Sequence, residues 1–245
     1  MPRYKLLIEY HGTPFVGWQR QDNGVSVQGE LETAIFRLSG EPVTVTAAGR
    51  TDAGVHATGQ VVHFDLAKDF SADRIQGGLN FHLRPHPIAV REAQMVGGDF
   101  HARFSALGRS YLYRIVNRRA PLAIDRDRAW WVAARLDADA MAEAAGHLLG
   151  RHDFTSFRAA ACQANSPDKT LNVLEVVRIG EEIRVTAKAR SFLHHQVRNM
   201  VGTLKLVGEG KWPPAAVQTA LEARDRAAAG PTAPPDGLYF TEVTY

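Results

Sequence analysis

The sequence predicts an α+β fold built from two similar domains, and two observations support this prediction. Short runs of alternating apolar residues, typical of strands, are interspersed with segments whose apolar residues recur at helical spacing. The resulting order, β-α-β-β-α-β, occurs in the first half of the chain and again in the second. We therefore expect domains at residues 1–105 and 106–245, each with an antiparallel sheet, and we expect the two sheets to join into one extended sheet.

The first half supplies two helices and four strands. Ser26 is placed to cap a helix whose apolar residues recur as far as Leu38, and Gly40 is expected to end that helix. Ser71 is placed to cap a second, shorter helix. The predicted strands span residues 5–10, 43–46, 60–64 and 88–96.

The second half repeats this order of elements, which is the ferredoxin-like arrangement in both halves. Helices are predicted from Asp139 to Leu149, across residues 197–204, and from Pro213 onward. The segment 155–167 has no regular pattern and is expected to be a loop that holds substrate. The predicted strands span residues 111–116, 173–179, 183–189 and 238–244.

The composition excludes several protein classes. Cys162 is the only cysteine, so neither an intramolecular disulfide nor a cysteine-ligated zinc cluster can form. The longest apolar runs, such as Leu6-Leu7-Ile8, are far too short to span a membrane. The first residues lead directly into a strand-like segment rather than a signal peptide. These features predict a cytoplasmic protein without a membrane partner.

The basic residues are mostly arginines, and many of them are clustered. The net charge is only +3, but just six of the 29 basic residues are lysines. Residues 103–135 carry eight arginines against two acids, with two tyrosines and two tryptophans among them. Such a segment suits a surface that binds phosphates and stacks bases. The codon usage of a GC-rich genome, or a solvated basic face, would also explain it.

One short loop carries residues suited to catalysis. Residues 49–56 read Gly-Arg-Thr-Asp-Ala-Gly-Val-His and interrupt two strand-like runs. The glycines permit a tight turn, which displays Arg50 and Asp52 two residues apart. A hairpin turn with surface charges is the simpler interpretation. The loop contains no lysine for a phosphate-binding P-loop, and the chain has no GxGxxG motif.

Metal chemistry has little support in the sequence. The ten histidines are scattered apart from the pair His194-His195, and there is no HExxH motif, so we predict no metal site. His194, Arg198 and Lys205 recur at helical spacing and predict a basic stripe on a helix face. This stripe fits a solvated face as well as it fits a wall that offers cations to a carboxylate or phosphate.

Several sequence blocks carry a family resemblance. The loop at 49–57 resembles the signature loop of the TruA family of tRNA pseudouridine synthases. The resemblance extends along nearly the whole chain, in the same order. Further similar blocks are Phe15-Val-Gly-Trp18, Val27-Gln-Gly-Glu-Leu31, Phe100-His-Ala-Arg-Phe-Ser105, Tyr111-Leu-Tyr-Arg114, Gly150-Arg-His-Asp-Phe154, Ser191-Phe-Leu-His-His-Gln-Val-Arg-Asn-Met200 and Gly237-Leu-Tyr-Phe240. In the loop between Phe154 and Thr170 the resemblance is weak, so no RNA contacts are assigned there.

The resemblance implies a specific reaction. Enzymes of this family detach uracil from its ribose, rotate it, and rejoin it through carbon, giving pseudouridine at positions 38, 39 and 40 of the tRNA anticodon stem-loop. The reaction is an isomerisation that uses no cofactor and no metal. The family also implies a homodimer that holds tRNA across both subunits.

The resemblance further implies roles for individual residues. Asp52 matches the catalytic aspartate, which either attacks the ribose or removes a ribose proton. Arg50 matches the arginine that helps to extrude the target nucleotide, and Tyr111 matches the tyrosine that packs on the extruded uracil. Arg198 matches the arginine that pairs with the aspartate. Further RNA contacts are expected from Arg109, Arg114, Phe192, His194 and His195.

Two other functions remain open from the residues themselves. One is a catalytically inert RNA-binding protein with two ferredoxin-like domains. The other is a nucleoside hydrolase or glycosidase, which would need a second carboxylate or a metal to activate water. The set of Arg50, Asp52, Tyr111 and Arg198 favours the synthase over both.

Overall fold

The computed structural model describes residues 1–245 without a gap. The chain divides into two compact units. Unit 1 comprises Met1–Leu107 and Tyr239–Tyr245, and unit 2 comprises Gly108–Leu238. The sequence assigned residues 106–245 to a single domain, whereas the C-terminal strand groups with unit 1. The cause is backbone pairing, because Tyr239 and Phe240 lie opposite His56 and Ala57.

The sheet of unit 1 is antiparallel except at one pair of strands. Its strands are β1 (Arg3–Tyr10), β2 (Thr46–Ala47), β3 (His56–Asp65), β4 (Ile88–Val96) and β10 (Leu238–Thr244). β1 lies between β3 and β4 and is antiparallel to both, whereas β10 runs parallel to β3. Tyr4, Leu6 and Ile8 are fully buried, so one face of β1 forms the centre of the core.

β2 is shorter than the strand predicted at residues 43–46. The buried backbone of Val45 bonds to α1 (Val27–Ser39) instead of to a strand. Its N–H donates to Oε1 of Glu32 over 3.0 Å, and its carbonyl accepts from Nε2 of Gln28 over 3.3 Å. Pairing with β3 begins only at Thr46, which lies opposite His63, so residues 43–45 do not join the ladder.

The helices of unit 1 begin and end where the local residues predict. The hydroxyl of Ser26 accepts a hydrogen bond from the N–H of Gly29, and Gly40 ends α1 in the left-handed conformation with φ 76°. The hydroxyl of Ser71 caps α2 (Ala72–His82) by accepting from the N–H of Arg74. The two helices contact each other, and α2 also packs on β4. Both predicted caps are thus confirmed.

The strands of unit 2 follow the order β5-β9-β8-β7. Its strands are β5 (Gly108–Asn117), β6 (Trp130–Val132), β7 (Gly150–Asp153), β8 (Asp168–Ile179) and β9 (Glu182–Ala189). These strands pair antiparallel, apart from β6, which runs parallel along β5. The predicted hairpin of two strands is confirmed, but its first strand begins at Asp168 because residues 168–171 pair with β7.

Three helices complete unit 2. They are α3 (Ala138–Gly146), α4 (Gln196–Gly208) and α5 (Ala216–Glu222). α3 begins one residue earlier than predicted because the side chain of Asp137 caps it, accepting from the N–H groups of Asp139 and Ala140. α3 packs against β8 and α4. None of the helices in the chain combines the length and the apolar composition needed to cross a membrane.

Candidate active site

The loop between β2 and β3 holds the predicted catalytic residue, Asp52, and the predicted substrate-binding residue Arg50. Arg50 is exposed, Thr51 is 7% exposed and Asp52 is half-buried. The carbonyl of Asp52 accepts from the N–H of Val55 over 3.1 Å, which closes a tight turn after the aspartate. The structure therefore brings Arg50 and Asp52 together in one loop, with the arginine exposed to solvent and the aspartate partly shielded.

A neighbouring segment, residues 12–18, holds this loop through backbone contacts. The N–H of Trp18 donates to the carbonyl of Thr51 over 3.0 Å, and the N–H of Gly54 donates to the carbonyl of Phe15 over 3.4 Å. Gly17 has φ 116°, and a Cβ there would lie 2.8 Å from the carbonyl oxygen of Thr51. Only glycine fits this approach, so the block at residues 15–18 serves to position the loop.

Buried polar side chains support the loop from below. The hydroxyl of Tyr10 lies 2.7 Å from Oγ1 of Thr51, and Nε2 of Gln60 donates to the carbonyl of Gly49 over 2.8 Å. Burial raises the pKa of the Tyr10 phenol to about 12, so the phenol is neutral at ordinary pH. The motif at residues 49–56 includes Thr51, but no sequence pattern predicts a role for Tyr10 or Gln60. A polar residue on the buried face of a strand has the same spacing as the apolar core residues beside it.

His56, at the end of the same motif, has a structural contact. Its Nδ1 accepts a hydrogen bond from the N–H of Gly12 over 2.9 Å, so in the neutral ring the proton lies on Nε2. The ring is 1% exposed with its centroid 4.7 Å from that of Tyr239 on β10. His56 thus ties the end of the loop to the sheet of unit 1.

In unit 2, two of the predicted residues form an aromatic pair. Tyr111 lies on β5 and Phe192 follows β9, and their ring centroids are 5.1 Å apart with planes at 87°. This edge-to-face arrangement is a favourable geometry for aromatic rings. Both side chains are half-buried, so each keeps a surface that solvent or a ligand can reach. The pair fits a platform for a flat base.

The two histidines lie in a turn that precedes α4. His195 has φ 63°, and Oε1 of Gln196 accepts from the N–H of Leu193 over 2.8 Å. His194 therefore stands outside the helix, and the two imidazole centroids are 4.0 Å apart. The predicted basic stripe of His194, Arg198 and Lys205 on one helix face is wrong at its first member, because α4 begins only at Gln196.

Arg198, on the first turn of α4, is held by the segment that precedes β10. Its Nε donates to the carbonyl of Ala233 over 2.8 Å, and its own carbonyl accepts from the N–H of Ala233 over 3.1 Å. The next residue, Asn199, is fully buried, and its Oδ1 accepts from Oγ1 of Thr232 over 2.7 Å. Sequence reasoning gave no role to Asn199, although an amide next to an apolar helix face signals a buried hydrogen-bond network.

The two predicted RNA-binding arginines of β5 differ in their surroundings. Nη1 of Arg109 donates to the carbonyl of Arg190 over 2.7 Å. Arg114 forms a bidentate ion pair with Glu182, at 2.9 and 3.1 Å, and its hydrogen bonds lower the pKa of that carboxyl. An RNA phosphate at Arg114 would therefore compete with a carboxylate of the protein itself.

Comparison with known proteins identifies the family. A family model described as tRNA pseudouridine synthase matches residues 6–105 and 144–245. The chain belongs to this tRNA pseudouridine synthase family. A relative from Paramagnetospirillum magneticum named tRNA pseudouridine synthase A is 67% identical over 245 residues, covering 100% of this chain and 96% of its own length. Relatives of the same name from Rhodospirillum centenum and Rhodospirillum rubrum are 64% and 60% identical, each covering 100% of this chain, and 100% and 88% of their own lengths.

As a tRNA pseudouridine synthase family member, the chain is an isomerase. The predicted family and enzyme class are confirmed. Arg50, Asp52 and Arg198 lie within the two ranges that the family model matches, whereas Tyr111 lies between them. The relatives cover that interval as well, since they align along the whole chain.

Proposed function

We propose that the chain converts uridine to pseudouridine at positions 38, 39 and 40 of tRNA, with Asp52 as the catalytic carboxylate. The observation that carries this proposal is the turn around Asp52. It is fixed by backbone hydrogen bonds to residues 15 and 18 and by the buried contact between Tyr10 and Thr51. A carboxylate held in this way is prepared for reaction before substrate binds, which is how enzymes avoid reorganisation at the moment of reaction.

The reaction requires a carboxylate but no external reagent. The bond between the ribose C1′ and N1 of uracil breaks, a bond between C1′ and C5 forms, and the proton on C5 is lost as N1 regains one. Asp52 either attacks the ribose or removes a ribose proton, and its half-buried position suits both routes. The base is recaptured rather than released, so a second carboxylate to activate water is unnecessary.

Arg50 is proposed to help extrude the target nucleotide. Uridines in a paired stem become accessible only when flipped out, at a cost of a few kcal/mol. Arg50 is exposed on the same turn as Asp52, so its guanidinium can enter the stack that the base leaves. Its side chain would thereby offset part of that cost while the uridine approaches the carboxylate.

The residues of unit 2 are proposed to receive the base and the RNA backbone. Tyr111 would stack on the extruded uracil, and Phe192, edge-on at 5.1 Å, would keep the tyrosine ring in position. Arg198, held by Ala233, would pair with Asp52 and orient it. Contacts to phosphates are proposed for Arg109, Arg114, His194 and His195.

We further propose that the enzyme acts in the cytoplasm as a homodimer that holds one tRNA across both subunits. The support is the family membership and the whole-chain similarity to relatives named tRNA pseudouridine synthase A. Size-exclusion chromatography with light scattering, with and without tRNA, measures the stoichiometry. A protein that stays monomeric in both conditions would contradict the dimer.

Incubation of tRNA with the purified protein alone tests the function. We expect pseudouridine at positions 38 to 40, mapped by chemical probing and nucleoside analysis, and no release of uracil. Free uracil would instead indicate a glycosidase. Tight binding of tRNA without any change in its nucleosides would indicate an inert RNA-binding protein.

A further inference from the structure

The buried hydroxyl of Tyr10 makes a direct contact with the residue before Asp52. The Oη of Tyr10 and the Oγ1 of Thr51 are 2.7 Å apart, which is a short hydrogen bond between hydroxyls. Tyr10 is 4% exposed and Thr51 is 7% exposed. Water therefore has little access to either group, and the two hydroxyls bond to each other although they lie 41 residues apart in the chain.

Thr51 is held at both its side chain and its backbone. The side chain is β-branched, so its bond to Tyr10 fixes a χ1 angle that already has few options. The carbonyl accepts from the N–H of Trp18, and Gly17 packs closely on the same oxygen. That carbonyl belongs to the peptide that joins Thr51 to Asp52. These contacts therefore fix the orientation of that peptide plane, and with it the direction of the Asp52 side chain.

Tyr10 is anchored in an interior strand of unit 1. It is the last residue of β1, which lies between β3 and β4 and whose buried face includes Leu6 and Ile8. The pairing of β1 with β3 shifts register between Ile8 and Tyr10, an irregularity of the kind that redirects a side chain at the end of a strand. The phenol thus connects an interior strand to the loop that carries Asp52.

We propose that Tyr10 is a positioning residue for the reaction, which acts through Thr51 to hold the Asp52 carboxylate in its reactive orientation and which touches no substrate. The inference rests on the proposed role of Asp52. Its physical basis is the sensitivity of catalysis to geometry, since a misplacement of about 1 Å can cost roughly 100-fold in rate. The phenol supplies a hydrogen bond and no charge in this role.

Tyr10→Phe is the first test, because it removes the hydroxyl and keeps the ring. We expect the single-turnover rate on tRNA to fall at least about tenfold, within the range that positioning groups contribute. The dissociation constant for tRNA should stay within about twofold, since the substituted group is buried away from RNA. The pH profile of the rate should keep its shape at ordinary pH, because the phenol that is removed is neutral there.

Tyr4→Phe is a matched control on the same strand. The hydroxyl of Tyr4 is also buried, and it donates to the carbonyl of Phe70 over 3.0 Å and accepts from the N–H of Phe70 over 2.8 Å, away from the loop. Its loss should lower the midpoint of denaturant unfolding at least as much as Tyr10→Phe does. The rate at saturating tRNA should nevertheless equal that of the wild type.

Substitutions of Thr51 keep the test decisive even if Tyr10→Phe folds poorly. Thr51→Val preserves the shape without the hydroxyl and should slow the reaction as much as Tyr10→Phe. Thr51→Ser keeps the hydroxyl and should restore most of the rate. The double variant Tyr10→Phe/Thr51→Val should be no slower than the slower single variant, because both changes break the same hydrogen bond between the two hydroxyls.

The outcomes separate this inference from the proposed function. If Asp52→Asn abolishes turnover while Tyr10→Phe and Thr51→Val react at the wild-type rate, the positioning role is overturned and the catalytic role of Asp52 stands. Equal slowing by Tyr10→Phe and Tyr4→Phe would also overturn it, since the effect would then be one of general stability. A wild-type protein that forms no pseudouridine would overturn both.

Discussion

The imidazole Nδ1 of His63 accepts a hydrogen bond from the backbone N–H of Ala102 over 3.1 Å. This contact joins β3 to the segment at the end of unit 1, and it requires an unprotonated Nδ1. Burial, together with the nearby charges of Arg3 and His101, lowers the pKa of His63 to about 4, against the opposing effect of Asp65. The histidine is therefore neutral in the folded protein at ordinary pH.

Because His63 is neutral in the folded protein, we expect the fold to lose stability in mild acid. In the unfolded chain His63 has an ordinary pKa of about 6.5 and binds a proton below that pH, whereas the folded form does not until about pH 4. The free energy of unfolding should fall as the pH drops from about 6.5 to about 4, because the unfolded state then binds more protons. Urea unfolding at a series of pH values measures the fall in the free energy of unfolding.

The variant His63→Asn offers an acceptor but does not titrate, so it should lose less stability over this interval. A pH dependence equal to that of the wild type would contradict the assignment of the effect to His63.

Asp52→Asn should remove turnover while leaving the fold and tRNA affinity nearly intact, because asparagine keeps the shape and loses the charge. The single-turnover rate should fall by about 10⁴-fold, the scale seen when a catalytic group is removed. Asp22→Asn changes an exposed carboxylate of the same unit and should react normally. Pseudouridine formation by Asp52→Asn at a tenth of the normal rate would exclude Asp52 as the essential group.

Arg50→Ala should be partly rescued by a substrate whose target base pair is mismatched. The proposed task of Arg50 is extrusion, and extrusion costs less when the target is unpaired. The measurement is the single-turnover rate on paired and mismatched tRNA. Arg37→Ala, at another exposed arginine of unit 1, should show no difference between the substrates. Equal defects of Arg50→Ala on both would argue against flipping.

Gly17→Ala should displace the loop that carries Asp52. A Cβ there would meet the carbonyl of Thr51 at 2.8 Å, and φ 116° is unfavourable for any residue but glycine. We expect a loss of about 1–3 kcal/mol in the free energy of unfolding, together with slower turnover. Gly77→Ala, within α2 and with open space around the added methyl, should instead be neutral or stabilise by up to about 1 kcal/mol. If Gly17→Ala has normal stability and rate, the close approach is not what positions the loop.

The two arginines of β5 should respond differently to substitution by glutamine. Each proposed phosphate contact releases counterions, so Arg109→Gln should lower the slope of log affinity against log salt by about 0.7 to 0.9. Arg114→Gln should lower the slope and should also cost about 1 kcal/mol of stability, because Glu182 loses its bidentate partner and keeps only its bond to Arg184. Binding isotherms at several salt concentrations and urea unfolding check the two effects. Affinity that does not vary with salt in the wild type would contradict an electrostatic RNA surface.

The sequence predicts local structure best where the determining contacts are local. Ser26 and Ser71 cap their helices as predicted, since an N-cap bond spans only three residues. The strand predicted at residues 43–46 pairs with β3 only from Thr46, and the N–H of Val45 bonds instead to Glu32 on a helix. No pattern of neighbouring residues predicts this contact between Val45 and Glu32.

In the candidate site, too, residues in contiguous motifs can be predicted from the sequence, whereas residues that act through long-range contacts cannot. Contiguous motifs predict Asp52 and Arg50, and likewise Phe192 and Arg198. Tyr10 was missed, because its partner is 41 residues away and its spacing on β1 is that of any core residue. The displacement of His194 from the helix was missed for another reason. Apolar periodicity describes the buried face of α4, whereas its start depends on the left-handed backbone of His195.

The parallel pairing of β10 with β3 has a consequence for synthesis on the ribosome. Residues 1–107 are translated first, yet the strand that joins their sheet at Tyr239 follows the whole of unit 2. During translation the edge of β3 that pairs with β10 therefore stays unpaired while residues 108–238 are synthesised, at a rate of about 5–20 residues per second. Nascent chains halted before residue 238 should leave that edge open to other strands and to proteases, and release of the last residues should protect it.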